Sequence, residues 1–438
     1  MPAGRWRRKS ALFSAILLVG CSYSVDSRTA LLGPFFNTTD PTNDGAAYIG
    51  SAACGACHAE VAERAAAHGH AHALKAVLGA APRYAEAGSR AGVPNPPNGR
   101  AWSDISYVIG GYLHGAFFVD RDGFRLTDGV AGVNTQWNLD FPPNGTTAGF
   151  APYLPAQVDP LPYRFECFRC HVVGPQPQDP ARPLSQDGRP GILGTWAEPG
   201  VMCEACHGPG SKHAPNPWAR QMFVDSTNNT CARCHLEGDD PDAIVVIDGY
   251  ISGNTQVAEL RASGGHARFT CGVCHDMHAS TTYDRERGLR NDCTACHGEM
   301  NLAYHEGFRY INGDYREDLT CLSCHMPFTG RSSSVGGPGM AGVLGGRIGD
   351  VRGHLFRIDT ERSTIAGMFT EGGTRVAKDA TGRAAVTVDF ACLRCHNGTG
   401  SAFIISATGA MTIARDMHTR AASAKPAIID LDLLDVRP

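Results

Sequence analysis

The 438-residue sequence is short of the material from which a domain core is usually built: hydrophobic residues make up 42% of it and aromatic residues 8%. Its length suffices for two or three ordinary domains, yet 52 glycines and 27 prolines interrupt the regular structure it could form. A large aliphatic core is thereby excluded as the main source of cohesion. Long apolar runs are scarce too. The one inside "RWRRKSALFSAILLVGC" (residues 5–21) is about ten residues long, half of what a bilayer-spanning helix needs. Positive charge is also in short supply, with a formal net charge of −4. Nucleic acid is an unsuitable partner for so acidic a chain.

Cysteine, by contrast, is abundant and regular. Sixteen of the 17 cysteines fall into pairs separated by two residues: Cys54/Cys57, Cys167/Cys170, Cys203/Cys206, Cys231/Cys234, Cys271/Cys274, Cys293/Cys296, Cys321/Cys324 and Cys392/Cys395. Each pair is followed at once by histidine: His58, His171, His207, His235, His275, His297, His325 and His396. A disulfide framework would show varied spacings, and zinc ribbons have no reason to place histidine behind every pair. The C-x-x-C-H pattern serves covalent haem attachment. Both thiols add to the haem vinyl groups, and the next residue reaches the iron. Eight covalently bound c-type haems are expected, so the rings supply the interior and the polypeptide wraps them with little regular secondary structure.

Ten histidines lie outside the motifs, and eight are needed if every iron carries histidine on both faces. His213, in "CEACHGPGSKH", and His278, in "CHDMH", follow their own motifs so closely that a neighbouring haem is the easier target. His70 lies in the alanine-rich "AEVAERAAAHGHAHAL", which reads as helix. It is the favoured ligand there, followed by His72, with His68 the plainest of the three. His266, His305, His354 and His418 complete the set of eight, and His114 in an apparent strand is the weakest candidate. Met326 directly follows His325 and has poor geometry for either face of that haem, so the methionines read as packing residues.

Six motifs crowd into residues 167–325, and the two long gaps around them must contain structure of another kind. In the first gap, "DISYVIGGYLHGAFFVDRDGFRLTDG" reads as a hairpin turning at Asp122-Gly123; in the second, "TRVAKDATGRAAVTVDFACL" reads as one turning near Thr381-Gly382. Between the last two motifs, "SSSVGGPGMAGVLGGR" is a glycine-rich linker without the Lys-Ser/Thr pair of a phosphate loop. The expected organisation is a leader over 1–20, a flexible tether over 21–46, a one-haem region with the hairpin insert over 47–166, a compact six-haem core over 167–330, and a C-terminal region with the second hairpin and the eighth haem over 331–438.

The basic stretch, short apolar run and small residues before Cys21 form an export signal. Leu18, Val19, Gly20 and Cys21 resemble the lipobox of bacterial lipoproteins, which implies lipidation of Cys21, a membrane anchor, and a periplasmic or outer-membrane location. Removing residues 1–20 takes away four basic residues and no acid, so the formal charge moves to −8.

"YIGSAACGACHAE", "GTWAEPGVMCEACHGPGSKH", "HARFTCGVCHDMH", "LTCLSCHMP" and "DFACLRCH" resemble signature stretches of bacterial octahaem c-type cytochromes, with a region similar to the tetrahaem cytochromes that accept electrons from hydroxylamine oxidation. The resemblance covers most of residues 47–420. It implies a mostly irregular multihaem cytochrome with short α-helices and a few β-hairpins, and it supports His213 as an iron ligand. The chain departs from the tetrahaem pattern in its number of haems and in its inserted hairpins. The implied activity is electron transfer in anaerobic respiration, with cytochromes or quinol-oxidising complexes as partners and no catalytic residue. The alternative is an octahaem oxidoreductase with one open haem acting on nitrite, hydroxylamine or a sulfur oxyanion. No motif ends in lysine, as the active haem of pentahaem nitrite reductases does.

Overall fold

In the computed structural model, residues 39–40 and 44–419 are described, apart from 182, 239, 333–339, 342–345, 363–364 and 371. The leader, Cys21, most of the tether and most of the glycine-rich linker lie outside the described residues. The rest is mostly irregular. Among the described residues the longest helices are Ala407–Arg415 and Ala59–Ala66, and most strands have two to four residues. No helix among them is long and apolar enough to cross a membrane.

The largest regular element is a nine-stranded sheet built from the first long gap and the sequence just beyond it. Its strands are β1 (Leu74–Ala76), β2 (Ile105–Gly110), β3 (Gly115–Asp120), β4 (Phe124–Arg125), β5 (Gln136–Asn138), β6 (Gly149–Ala151), β7 (Leu161–Arg164), β8 (Gln176–Pro177) and β9 (Ile192–Thr195). The order is β8-β9-β7-β4-β3-β2-β1, with β5 pairing β3 and β6 to one side. All pairings are antiparallel except β9 with β7, where Ile192 faces Tyr163. The sheet thus runs across residue 166 and carries chain from both sides of the second motif.

Alternation along β2 and β3 explains why this gap folds as sheet. Tyr107, Ile109 and Val119 pack on one face with Tyr163, Phe168, Ile192 and Trp196. Ile105, Val108, Ala116 and Phe118 pack on the other with Val77, Val93 and Leu126. A bulge between Ile105 and Tyr107 lets the pattern pass one irregular step. Burying each such side chain contributes about 1.5–3 kcal/mol. The Asp122-Gly123 turn forms, with Gly123 at φ 94° and its N–H donating to Asp120 O at 3.1 Å. It joins β3 to β4, however, whereas β2 and β3 are joined by an earlier turn over Gly111–His114. The single hairpin expected here is three strands with two turns, and His114 sits in a turn and not in a strand.

The second expected hairpin is only a turn. Asp379 N–H donates to Arg383 O at 2.8 Å, but the flanking residues bond outwards, Val376 N–H to Ile244 O at 2.9 Å and Val386 N–H to Arg357 O at 2.9 Å. These segments serve a core containing Ile244, Leu355, Val386 and Phe390, and that core decides their partners. The gaps between motifs therefore carry apolar clusters of their own, beyond a plain wrapper.

Candidate cofactor sites

Seven of the eight motifs close as one helical turn. The histidine N–H donates to the carbonyl of the first cysteine at 2.9 Å in His58, 2.8 Å in His235, 2.9 Å in His275, 2.9 Å in His297 and 3.1 Å in His396. Cys203–His207 and Cys321–His325 are helical turns throughout. At this spacing the first cysteine, the second and the histidine share one face, which is the geometry that two thioethers and an axial ligand require. The second motif departs from it, because His171 N–H donates to Phe168 O at 2.8 Å. All sixteen motif cysteines are free thiols. Among the described residues no three or more His, Cys, Asp or Glu side chains gather into a metal cage. Neither a disulfide framework nor a set of zinc sites matches this.

The described residues include all 18 histidines, and 14 of them stand in seven facing pairs, each joining one motif histidine to one non-motif histidine. Ring centroids are 6.3 Å apart for His58 and His213, 6.0 Å for His235 and His70, 6.1 Å for His207 and His278, and 6.0 Å for His297 and His266. They are 6.1 Å apart for His275 and His354, 6.0 Å for His396 and His305, and 5.6 Å for His325 and His418. A metal–imidazole bond is about 2 Å long. Two such bonds and the two half-rings span roughly 6 Å, so six of the pairs leave the gap that one iron would occupy, while His325 and His418 stand closer, with their Nε2 atoms 3.4 Å apart.

The ring nitrogens are set up to match. The Nδ1 atoms of His207, His325 and His396 bond to the carbonyls of Phe223, Phe356 and Phe403, each at 2.7 Å; that of His213 bonds to Arg220 O at 2.6 Å. His235 Nδ1 bonds to Gln256 Oε1 at 3.0 Å. An Nδ1–H held in this way leaves the Nε2 lone pair for a metal. Burial pushes several of the paired rings, among them His275, His305 and His396, below their usual value, towards the neutral form that ligates. It pushes His70 well below its usual value, and burial together with the charges of His275 and His235 pushes His354 down to about 3.

Four histidines remain. His171 pairs with no histidine; its Nδ1 bonds to Tyr163 Oη at 3.0 Å. His72, expected as a ligand, packs against Tyr112 at 4.1 Å and Tyr84 at 5.5 Å, because Leu74 enters the sheet directly after it and turns this stretch into β1. His68 Nδ1 accepts the His70 N–H at 3.0 Å and so starts the short 3-10 turn that aims His70. His114 lies 4.0 Å from Asp350.

No protein-family model matches the sequence. The chain is 24% identical over 176 residues to the multihaem cytochrome MtrA of Shewanella baltica (strain OS185), a match over 37% of this chain and 45% of that protein. It spans less than half the length of that relative. Among solved structures, the octahaem sulfite reductase MccA of Wolinella succinogenes superposes with a TM-score of 0.51 at 17% identity, over 80% of this chain and 67% of that one. The fold is that of the multihaem cytochromes. The outer cell wall cytochrome OcwA gives a TM-score of 0.48 at 18% identity, over 84% and 86% of the two chains.

The motifs also pack on one another, through side chains inside and beside them. Numbering the motifs in chain order, Glu204 lies between the cysteines of the third and is 2% exposed. It accepts from the N–H groups of Ile49 at 3.0 Å, Gly50 at 2.7 Å and Gly210 at 2.7 Å, fastening the lead-in of the first motif to the third. Arg169, inside the second motif, donates to Arg233 O inside the fourth at 2.9 Å. Asn228 accepts from Cys271 N–H at 2.8 Å, joining fourth to fifth, and Asn291 donates to Val273 O at 2.6 Å, joining fifth to sixth. Arg394, inside the eighth motif and 1% exposed, donates to Ser323 O inside the seventh at 3.0 Å and pairs with Glu317 at 2.7 and 3.0 Å.

The thiols report the same neighbours. Cys54 lies beside Cys203, Cys170 beside Cys234, Cys231 beside Cys271 and Cys293 beside Cys321. Cys206 lies near Cys231, Cys274 near Cys296 and Cys324 near Cys392. Nothing in the spacing of the motifs announces these contacts. The only visible signal was charge, a glutamate or an arginine, in positions that any residue can fill.

Among the second cysteines of the motifs Cys395 is buried, whereas Cys206, Cys296 and, at the other end of the row, Cys57 are exposed. For Cys57 the cause is its place on the first motif. Its N–H donates to Cys54 O at 3.1 Å, and it is the Cys54 side of that turn that meets Cys203 of the third motif. The turn carries Cys57 round to the surface just before the helix Ala59–Ala66. A thioether at Cys57 would therefore hold an outer edge of its haem, where solvent or a partner protein can approach it.

Proposed function

We propose that this protein is an octahaem c-type cytochrome that carries electrons between periplasmic and outer-membrane redox partners in anaerobic respiration. The observation that carries this reading is the continuity of the motif contacts. They run from the first motif to the third, fourth, fifth, sixth, seventh and eighth, with the second attached to the fourth. Each thiol would hold a haem edge, so neighbouring thiols mean neighbouring rings, and electrons can pass singly along the row. Seven of the irons would carry histidine on both faces, from His58/His213, His235/His70, His207/His278, His275/His354, His297/His266, His325/His418 and His396/His305. Such ligation leaves no position for substrate, and it favours lower potentials than histidine with methionine. Cys21 would supply the lipid anchor, and other cytochromes or a quinol-oxidising complex the partners.

Rapid-mixing spectroscopy tests this reading. The fully reduced protein, mixed with an excess of a one-electron oxidant too large to enter the fold, should lose its reduced haem absorbance completely, with pyridine haemochrome analysis giving eight haems per chain. A subset of haems that stays reduced would mean that the row is broken.

A further inference from the structure

We propose that residues 213–224 form a membrane contact, in which Trp218, Phe223 and Val224 enter the headgroup region of the phospholipid bilayer that would hold Cys21. The proposal rests on the lipid anchor and the haem reading given above, and it adds which face of the protein meets the membrane.

The first observation is exposure. Residues 214–221 are exposed without a break, and Trp218 among them is 91% exposed. Phe223 and Val224 end the same stretch at 56% and 72%. Exposed apolar side chains are ordinary when scattered singly, whereas three within seven residues form a patch of the kind that marks a contact surface. Pro215 and Pro217 stand just ahead of the indole and restrict the backbone, so less conformational freedom is lost when the loop docks. The indole itself has an apolar body and one N–H donor. That combination settles at a bilayer surface.

The second observation is place. Thr39, the first described residue, pairs with Ala47, and this N-terminal segment packs on the base of the loop. Ala47 N–H donates to Ser211 Oγ at 2.8 Å, Ser211 N–H to Ala47 O at 3.1 Å, and Lys212 Nζ to Asp44 O at 2.6 Å. The chain that leads back to Cys21 therefore leaves the fold beside the exposed stretch. A molecule held through Cys21 presents this face to the bilayer.

The third observation is charge. The chain as a whole is acidic, and anionic lipid repels such a surface. Residues 208–224, by contrast, carry Lys212 and Arg220 and no acid. Asp44 pairs with Lys212, so the patch is close to neutral and apolar contact carries the binding. Asp225, the next acid along the chain, accepts from the N–H groups of Thr227 at 2.8 Å and Thr230 at 2.6 Å. The loop also touches two of the expected iron ligands, through Arg220 O on His213 Nδ1 and Phe223 O on His207 Nδ1. Docking it would set the first and third haems nearest the bilayer, where a membrane-bound donor can reach them.

The experiment uses the full chain with its haems. Cys21→Ala removes the lipid, and co-sedimentation follows its binding to vesicles of phosphatidylethanolamine and phosphatidylglycerol. It should bind, and either Trp218→Ala or Val224→Asp in the same background should weaken binding about tenfold. On the same vesicles the native protein should be cut by trypsin after Arg220 more slowly than in detergent, and Trp218→Ala should remove that protection. No binding by Cys21→Ala, undiminished binding in both further variants, or cleavage that vesicles do not slow overturns the proposal. Self-association of Cys21→Ala without vesicles that Trp218→Ala abolishes would assign the loop to a second copy, and overturns it as well. A native protein without lipid on Cys21 would count against the anchor alone, with Cys21→Ala still deciding the loop. Fewer than eight haems would count against the haem reading.

Discussion

The Cys167–His171 site and the other seven are made from the same five-residue pattern, yet they stand in different surroundings. The seven lie among irregular loops, and each motif histidine faces a second histidine delivered by a distant part of the chain. The second motif lies against a nine-stranded sheet and has a tyrosine behind its histidine. The motif therefore settles only how a haem is attached. The sequence around the motif differs, and here the long gap ahead of the second motif spends most of its residues on a sheet, while the facing histidine it supplies, His70, goes to His235 and not to His171.

The difference can be erased by removing a facing histidine. His354→Ala should add one carbon monoxide per chain and one high-spin signal to those of the native protein, because His275 would lose the ring now 6.1 Å from it. An unchanged stoichiometry would show that the two rings do not share an iron. A different change should damage the row while sparing the second motif. Glu317→Ala leaves the Arg394 guanidinium buried without its partner, a loss of about 3–5 kcal/mol for a broken buried pair. The melting temperature should fall clearly, with the number of haems unchanged below it.

Acid offers a milder form of the same change. Burial alone would raise the Glu317 carboxyl, but the Arg394 guanidinium and its hydrogen bonds, with Tyr315 and Arg352, outweigh it and hold the group down at about 2. A carboxyl held below its ordinary value stabilises the fold above that value and loses the effect as pH falls towards the folded one. The contribution should therefore be complete above about pH 5 and disappear between there and pH 2. Comparing melting temperatures of the native protein and Glu317→Gln across that range checks it, since the two should converge at the acid end. The smallest effect is expected from Tyr163→Phe. Removing the Tyr163 hydroxyl, the hydrogen-bond partner of His171 Nδ1, costs about 0.5–1.5 kcal/mol, which should show as a small fall in melting temperature with the number of haems unchanged.

Much of this was legible in the sequence, and what was not has a common cause. The Asp122-Gly123 turn and the mostly irregular fold follow from local pattern. Which histidine faces which does not, because the pairing is made across the fold. His278 stands three residues behind His275, yet its ring faces His207; His213 stands six behind His207 and faces His58. His72 ranked behind His70 in the alanine-rich stretch, and its ring packs on Tyr112 and Tyr84 because the strand beginning at Leu74 fixes its direction. Cys57 and Cys395 hold the same place in their motifs, and only the packing around each turn leaves one exposed and the other buried. Glu204 and Arg394 looked like fillers inside their motifs, and their roles appear only where another motif comes to meet them.

The central claim is that seven irons carry histidine on both faces. Quantitative electron paramagnetic resonance of the oxidised protein tests it most directly, with signals integrated against total haem. At least seven low-spin haems per chain is the predicted result. Several high-spin haems would mean that the facing histidine pairs do not hold iron.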